Sequence, residues 1–387
     1  MTGGGSGGHI TPLLSLAHAF KAAQPTGTKL VYIGLKGDRL DGLKTDYQVF
    51  DDVYYVPSGK FRRYHGESLL AHLIDFRTLF LNARDFFRVL HGIFVARKLL
   101  KKLRPSVVFC KGGFVSVPVG IAAHWQHVPI VTHDSDSVPG LANQIIGRWA
   151  VLHATGMPAQ YYNYPKDTIR YTGVPVDARF KAVGDSEQAG FKTELGLAAE
   201  NLVLLVGGAG LGARDVNNLI IAIAPELLGK FPQLHVLHVT GKDLLNSVRD
   251  EYASRLSGAE SKRVTTVGFT PDFYKFSGAA DLVISRAGAT TITELAIQKK
   301  PVILIPAPFL TGGHQLRNAE VLENNQAAKM VPNDTTPQRL LAAVVGLLDS
   351  PLKREALSKN LALSAKPEAA KELAEVVLGV AERGTGG

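Results

Sequence analysis

Short runs of β-branched and apolar residues alternate along this chain with longer stretches of helical periodicity. The strand candidates of the first half are Leu30–Ile33, Val53–Val56, Val107–Cys110, Ile130–Thr132 and Ile169–Thr172. A second series follows at Leu202–Val206, His235–Val239, Val264–Val267, Leu282–Ser285 and Val302–Ile305. Helices fit between most of them, which is the βαβ rhythm of parallel, doubly wound sheets. The rhythm restarts at Leu202 on a second glycine loop, so the pattern predicts two Rossmann-like α/β domains facing a cleft. Gly173-Val174-Pro175-Val176 reads as the linker, with a first domain over 1–172 and a second over 173–367. Pro367 interrupts the C-terminal helical region and leaves Glu368–Arg383 as a separate last helix.

The glycine loops mark where chemistry would gather. Gly3-Gly4-Gly5-Ser6-Gly7-Gly8-His9 runs into Ile10-Thr11-Pro12 and an apolar-periodic helix. Glycines let the backbone approach a phosphate and leave helix N-terminal N–H groups facing the anion. His9 takes a proton near neutral pH without a shifted pKa. A phosphate cradle with a base is one reading, and a tight turn with a helix-capping histidine is the other. Only Met1 and Thr2 precede the loop, whereas such loops normally follow a buried strand of about five residues. The pattern therefore predicts further apolar residues upstream in the full coding frame.

The second loop, Gly207-Gly208-Ala209-Gly210-Leu211-Gly212-Ala213-Arg214, precedes a helix starting near Asp215, and its backbone suits a diphosphate. The acid that a dinucleotide site would place about twenty residues on is absent. Thr240-Gly241-Lys242 stands there instead. Farther on, the turn Arg286-Ala287-Gly288-Ala289 opens a helix with Thr290 and Glu294 in its first turns. A carboxylate there can accept ribose hydroxyls while helix N–H groups face phosphate; a capping box with Glu294 near its third position is the alternative. His314, Gln315 and Asn318 follow the next strand and suit sugar hydroxyls and phosphate oxygens. In the first half, Lys111-Gly112-Gly113-Phe114 follows one strand and His133-Asp134-Ser135-Asp136 through Asn143 follows another. Asp134 or Asp136 would orient His9 or act as a base. The same residues also admit a metal site, or capping or turn roles for Asp136 and Ser137.

Composition narrows the class. The formal net charge is +9, and residues 60–104 hold eleven basic residues against three acidic ones. Leu69, Leu73, Phe76, Phe80, Phe87, Phe94 and their neighbours recur at helical spacing within that stretch, with Arg and Lys interleaved. A basic aromatic helix can lie on an anionic bilayer; a core-facing helix pair with a solvated basic face has the same pattern. Nucleic acid is not the partner expected, since no nucleic-acid motif accompanies the charge. Cys110 is the single cysteine, so no disulfide framework is expected and a reducing compartment is. There is neither a signal-peptide pattern nor an apolar run of about 18 residues, which together read as a cytoplasmic location.

Taken in order from Gly4 to Asn318, these motifs resemble the MurG-type enzymes of glycosyltransferase family 28. These are the UDP-N-acetylglucosamine: lipid-linked muramyl-pentapeptide transferases of peptidoglycan synthesis. Gly4-Gly5-Ser6-Gly7-Gly8-His9 matches that family's first glycine loop. Lys60-Phe61-Arg62-Arg63-Tyr64 resembles its basic segment near the lipid. Gly112–Ser116, Gly140–Asn143, Gly173–Val176, Gly212–Arg214, Asn217, Arg286–Glu294, Gln315 and Asn318 match in order.

The resemblance implies the GT-B fold, with the last helix, 368–383, packing back on the first domain. It implies an inverting transfer of N-acetylglucosamine from its UDP conjugate to a polyprenyl-diphosphate-linked acceptor. The enzyme would work without cofactor or catalytic metal, at the cytoplasmic face of an anionic membrane. His9 and Asp134 would be catalytic. Gly208, Ala209, Gly210, Gly212, Arg286, Thr290, Glu294, His314, Gln315 and Asn318 would bind the donor. Ser6, Gly7, Gly8, Phe114, Asp136 and Asn143 would bind the acceptor. The chain departs from the family at Phe114, where Tyr is usual, at Asp134 and Asp136, where Glu and Asn are usual, and at Asp177, where Arg is usual. These departures concentrate among the acceptor and phosphate contacts. A transferase for another glycolipid, or a relative that binds UDP-sugar or lipid without turnover, remain the other readings.

Overall fold

A computed structural model describes residues 1–4, 7–23, 27–36, 46–60, 76–207, 212–307 and 313–385, with the side chains of 7–9, 46–47, 76–77 and 384–385 left aside. The chain forms two compact units: Met1–Asp177 with Lys366–Gly387, and Ala178–Ala365. The division follows Asp177, slightly beyond the expected end at 172, and the C-terminal helix falls in the first unit.

The first unit holds strands β1 (Val31–Gly34), β2 (Asp52–Tyr55), β3 (Val108–Cys110), β4 (Ile130–Asp134), β5 (Leu152–Thr155) and β6 (Ile169–Tyr171). β1 pairs with β2, and β3 to β6 pair in sequence order, all parallel. Thr2 joins the two groups, bridging Ile33 on one side and Cys110 on the other. Its N–H donates to Phe109 O at 2.8 Å, and its carbonyl accepts from Lys111 N at 2.9 Å. The order of the sheet reverses at Thr2, which makes its carboxyl side a topological switch point.

Helix α1 (Gly7–Ala23) starts inside the expected loop, so Gly7, Gly8 and His9 form its first turn. Its buried stripe Ile10, Leu13, Leu14, Ala17 and Phe20 follows helical spacing. The stripe shares one core with Leu373, Val377 and Val380 of the C-terminal helix α8 (Ala369–Thr385).

The second unit is a six-stranded parallel sheet. Its strands are β7 (Leu202–Gly207), β8 (Leu234–Val239), β9 (Val264–Val267), β10 (Leu282–Ser285), β11 (Val302–Leu304) and β12 (Lys329–Met330), in the order β12-β11-β10-β7-β8-β9. β7 lies at the centre with Val203, Leu204 and Leu205 wholly buried. Buried on both faces, it reads as a continuous apolar run. Its switch point lies between β7 and β10. Two strands escaped the pattern. β5 carries His153 and Thr155 among its four buried residues, so hydrophobicity does not mark it, and β12 has two residues.

The basic stretch forms helix α2 (Phe76–Leu103). Val89, Ile93, Ala96 and Leu100 are buried, and the helix packs on α3 (Ser116–His124). Phe80, Phe87 and Phe94, one every seven residues, stand 70%, 67% and 58% exposed, with Leu79, Phe86 and Leu90 beside them. The helix therefore has two apolar faces, and only one of them meets the core. Arg97, Lys98, Lys101 and Lys102 are exposed nearby. Arg84 and Arg88 are committed to the buried carboxylate of Asp85, at 3.0 and 3.5 Å. Lys60 is described, while the rest of the basic segment Phe61–Tyr64 lies outside the described residues.

Candidate active site

In the first unit, the loops after Thr2, β3 and β4 gather at the carboxyl end of the sheet. Glycine is required where they touch. Gly113 has φ +77°, and a Cβ there would lie 2.2 Å from Gly4 O. Asp134, the last residue of β4, is 4% exposed. Asn143, on helix α4 (Leu141–Ile146), donates from Nδ2 to Asp134 Oδ1 at 2.9 Å and to His133 O at 2.9 Å. Tyr164 donates its hydroxyl to Asp134 Oδ2 at 3.0 Å. Burial pushes the Asp134 carboxyl up to about 6, while these donors and the Lys111 charge pull the other way.

The family-implied residues of this unit fare differently. Asn143 is a brace for Asp134 and the β4 backbone. Asp136 is half-buried, and its carbonyl accepts from Tyr162 Oη at 2.8 Å. Phe114 is half-buried, and its carbonyl accepts from Ser58 Oγ at 2.7 Å. His133 turns away, with Nε2 on Gly173 O at 2.9 Å. Among the described residues no three His, Cys, Asp or Glu converge, so the His133-Asp134-x-Asp136 run does not form a metal-ligand set. The N-cap of α4 is Gly140, so neither Asp136 nor Ser137 is its N-cap residue, and both lie in the bend between β4 and α4. Ser6 and the His9 side chain lie outside the described residues.

In the second unit, a small pocket at the switch point is lined by Val206, Gly207, Gly212, Ala213, Val216, Asn217, Val239 and Arg286. Gly212 has φ +75°, and a Cβ there would fall 2.1 Å from Thr240 O. This is a contact that only glycine permits. Helix α5 (Arg214–Lys230) starts just after it, so its first-turn N–H groups face this end of the sheet. The Arg286 guanidinium donates to Ile305 O at 3.0 Å, to Asn333 Oδ1 at 2.5 Å and to both carboxylate oxygens of Asp215. Burial raises the Asp215 carboxyl, but the Arg286 hydrogen bonds and charge outweigh it and hold it below the ordinary range.

Asn217 is held by a buried chain of hydrogen bonds. Its Nδ2 donates to Thr240 O, and its Oδ1 meets His238 Nε2, both at 3.0 Å. His238 Nδ1 meets Tyr252 Oη at 3.0 Å. Burial drives the His238 ring down to about 3, so the ring is neutral. An amide oxygen only accepts, which puts the ring proton on Nε2 and makes the Tyr252 hydroxyl the donor to Nδ1.

Glu294 is 8% exposed on helix α6 (Ala289–Ile297), whose N-cap is Gly288. It therefore lies a turn past the third position, and the capping-box alternative is removed. Thr290 lies half-exposed in the first turn of α6. On helix α7 (His314–Asn324), His314 is half-buried. Gln315 Oε1 accepts from Ala307 N at 3.0 Å. Asn318 is fully buried and donates to Ala287 O at 3.1 Å. Asn318 thus braces the Arg286–Gly288 turn. Gly208, Ala209 and Gly210 lie outside the described residues.

Sequence reasoning missed Tyr164, Asp215 and Asn333. Asp215 had a signal, since a carboxylate in the first turn after a glycine loop stands next to whatever cation serves that loop. Tyr164 and Asn333 had none, because only the fold brings them to their partners.

Residues 1–152 match the glycosyltransferase family 28 N-terminal domain, and residues 202–373 match the glycosyltransferase family 28 C-terminal domain. Curated relatives carry the name UDP-N-acetylglucosamine--N-acetylmuramyl-(pentapeptide) pyrophosphoryl-undecaprenol N-acetylglucosamine transferase. One from Lachnospira eligens is 36% identical over 358 residues, 89% of each chain. One from Listeria welshimeri is 32% identical over 382 residues, 98% of each. The crystal structure of Acinetobacter baumannii MurG superposes with a TM-score of 0.71 over 98% of both chains at 23% identity. The matched domains account for most of the sequence, and the chain belongs to glycosyltransferase family 28.

Proposed function

We propose that this chain transfers N-acetylglucosamine from UDP-N-acetylglucosamine to the sugar hydroxyl of a lipid-diphosphate-linked muramyl peptide. The observation that carries this reading is the near-full-length likeness to relatives named for that reaction. The site residues fit it. The first-unit switch point offers proton acceptors, His9 by its place in the first turn of α1 and Asp134 by its raised pKa. A group poised near the working pH is what general-base chemistry needs. The hydroxyl oxygen attacks the anomeric carbon as its proton leaves for the base, and UDP departs from the opposite face with inversion. The second-unit switch point, with the α5 N-terminus and Arg286, holds the diphosphate and stabilises the charge that develops on it. Glu294 takes the ribose hydroxyls. No metal or cofactor enters this scheme.

The acceptor's lipid places the work at a membrane surface, and α2 supplies the means. Its exposed phenylalanines insert among acyl chains while Lys98, Lys101 and Lys102 meet anionic headgroups at the cytoplasmic face. No described helix is long and apolar enough to cross a membrane.

Incubation with labelled UDP-N-acetylglucosamine and a short-chain lipid-linked muramyl acceptor tests the reading. Label moving to the lipid supports it. Transfer only to another glycolipid, or UDP binding with no transfer to any acceptor, sinks it.

A further inference from the structure

Lys111 is a buried cation that the reaction scheme leaves unused. It is the first residue past β3, and its N–H donates to Thr2 O at 2.9 Å. It therefore stands where the order of the first sheet reverses. Its side chain is 3% exposed, and its Nζ donates to Ser135 Oγ at 2.9 Å. Ser135 sits between Asp134 and Asp136. Burying an ammonium costs more than burying a methylene chain of equal length, so a lysine inside a core is weak evidence of stabilisation. Here burial lowers the Lys111 pKa to about 8, and the charges of Asp134 and Asp136 pull it back up.

We propose that Lys111 is a positioning residue, which keeps the Asp134 carboxylate ionised and ties down the loop that carries it. The ammonium is tethered to Ser135, the residue that follows Asp134, while Asn143 and Tyr164 donate to the Asp134 oxygens. The other groups around Asp134 are Asp136 on its own loop, His133 on its own strand, and Tyr162 and Tyr164 ahead of β6. The ring of His153 on β5 stacks on Tyr164 at 3.7 Å. Burial and the Lys111 charge keep His133 neutral, and His153 is likewise held down to about 4 by burial. Lys111 is thus the one cation among these described groups at neutral pH.

This inference rests on the proposed transferase reading only for its kinetic arm. Lys111→Gln keeps a donor for Ser135 and removes the charge, Lys111→Arg keeps the charge, and Lys111→Met is the apolar control. The acid limb of the pH profile of kcat/KM should move up by about one unit in Lys111→Gln. Activity near pH 6.5 should then fall several-fold and recover by pH 8.5, while Lys111→Arg keeps the wild-type limb. An equal loss at every pH in Lys111→Gln would overturn the proposal.

The second arm needs no turnover. A carboxyl raised from 3.8 to about 6 by folding stabilises below pH 4, and that stability is lost as pH rises through 6. The pH dependence of the Tm difference between wild type and Asp134→Asn reads this window. Its upper end should rise by about one unit when the pair is compared in the Lys111→Gln background. An unmoved window overturns the proposal whether or not sugar is transferred, whereas absent transfer with a shifted window overturns only the transferase reading.

Discussion

The two units use one architecture for opposite electrostatic ends. Each has a parallel sheet whose order reverses at its centre, with a glycine loop and a helix at the switch point. At the first, the carboxylate of Asp134 is buried among neutral donors, and its pKa rises to about 6. At the second, the carboxylate of Asp215 is half-exposed and locked to Arg286, and its pKa falls. Desolvation acts on both, but only the second has a guanidinium in contact to overcome it. A raised carboxyl exchanges protons near neutrality, whereas a guanidinium held in place by carbonyl, amide and carboxylate partners is a fixed charge for an anion. Under the proposed transfer, the difference puts proton transfer in the first unit and charge recognition in the second.

The sharpest way to break that assignment is to remove the proton acceptors. His9→Ala and Asp134→Asn should each lower kcat by roughly two to four orders of magnitude, with UDP affinity measured by calorimetry unchanged. Weakened UDP binding in either variant would erase the division of labour.

Membrane attachment should also belong to the first unit. Phe80, Phe87 and Phe94 changed together to Ser should reduce liposome flotation by about a hundredfold or more, since each buried phenylalanine contributes about 1.5–3 kcal/mol. The three are exposed, so the thermal midpoint should hold. Removing charge is better done at Lys98, Lys101 and Lys102 than at Arg84 and Arg88, which neutralise buried Asp85. Undiminished flotation of the Ser variant would leave that face without its assigned role.

In the second unit, Arg286→Lys keeps the charge and loses the planar fork. KM for UDP-N-acetylglucosamine should rise about tenfold or more, because bidentate recognition is worth more than a point charge. A change confined to acceptor KM would reverse the comparison.

The smallest effect separates scaffold from chemistry. Tyr252→Phe removes the donor to the neutral His238 ring. It should cost about 1 kcal/mol in urea unfolding while leaving kcat within twofold. A large kcat loss would show that the chain from Tyr252 through Asn217 does more than hold the pocket wall.

Most of the framework was legible in the sequence. Strands buried on both faces announce themselves as apolar runs, and glycine loops after them mark the carboxyl ends of the sheets, as at Leu202–Gly212. β5 was hidden because its interior polar groups are satisfied within the fold, as with Thr132 Oγ1 and His153 Nδ1 at 2.8 Å. The first loop was located correctly, but its helix begins earlier, at Gly7, so His9 is a helix residue and not the end of a loop. Among the site residues, Asp134 and Arg286 stood out by type and place. What each one touches did not, because Tyr164 and Asn333 lie far along the chain from them.

Sequence alone therefore determined the two-sheet α/β plan, the positions of the glycine loops and the family, since periodicity and motif spacing are properties of neighbouring residues. Only the tertiary structure decided which apolar face of α2 meets the core, which carboxylate is raised and which is lowered, and that Lys111 is buried beside Asp134. Burial and charge proximity depend on segments distant in the chain, and a pKa is set by what surrounds a group in space.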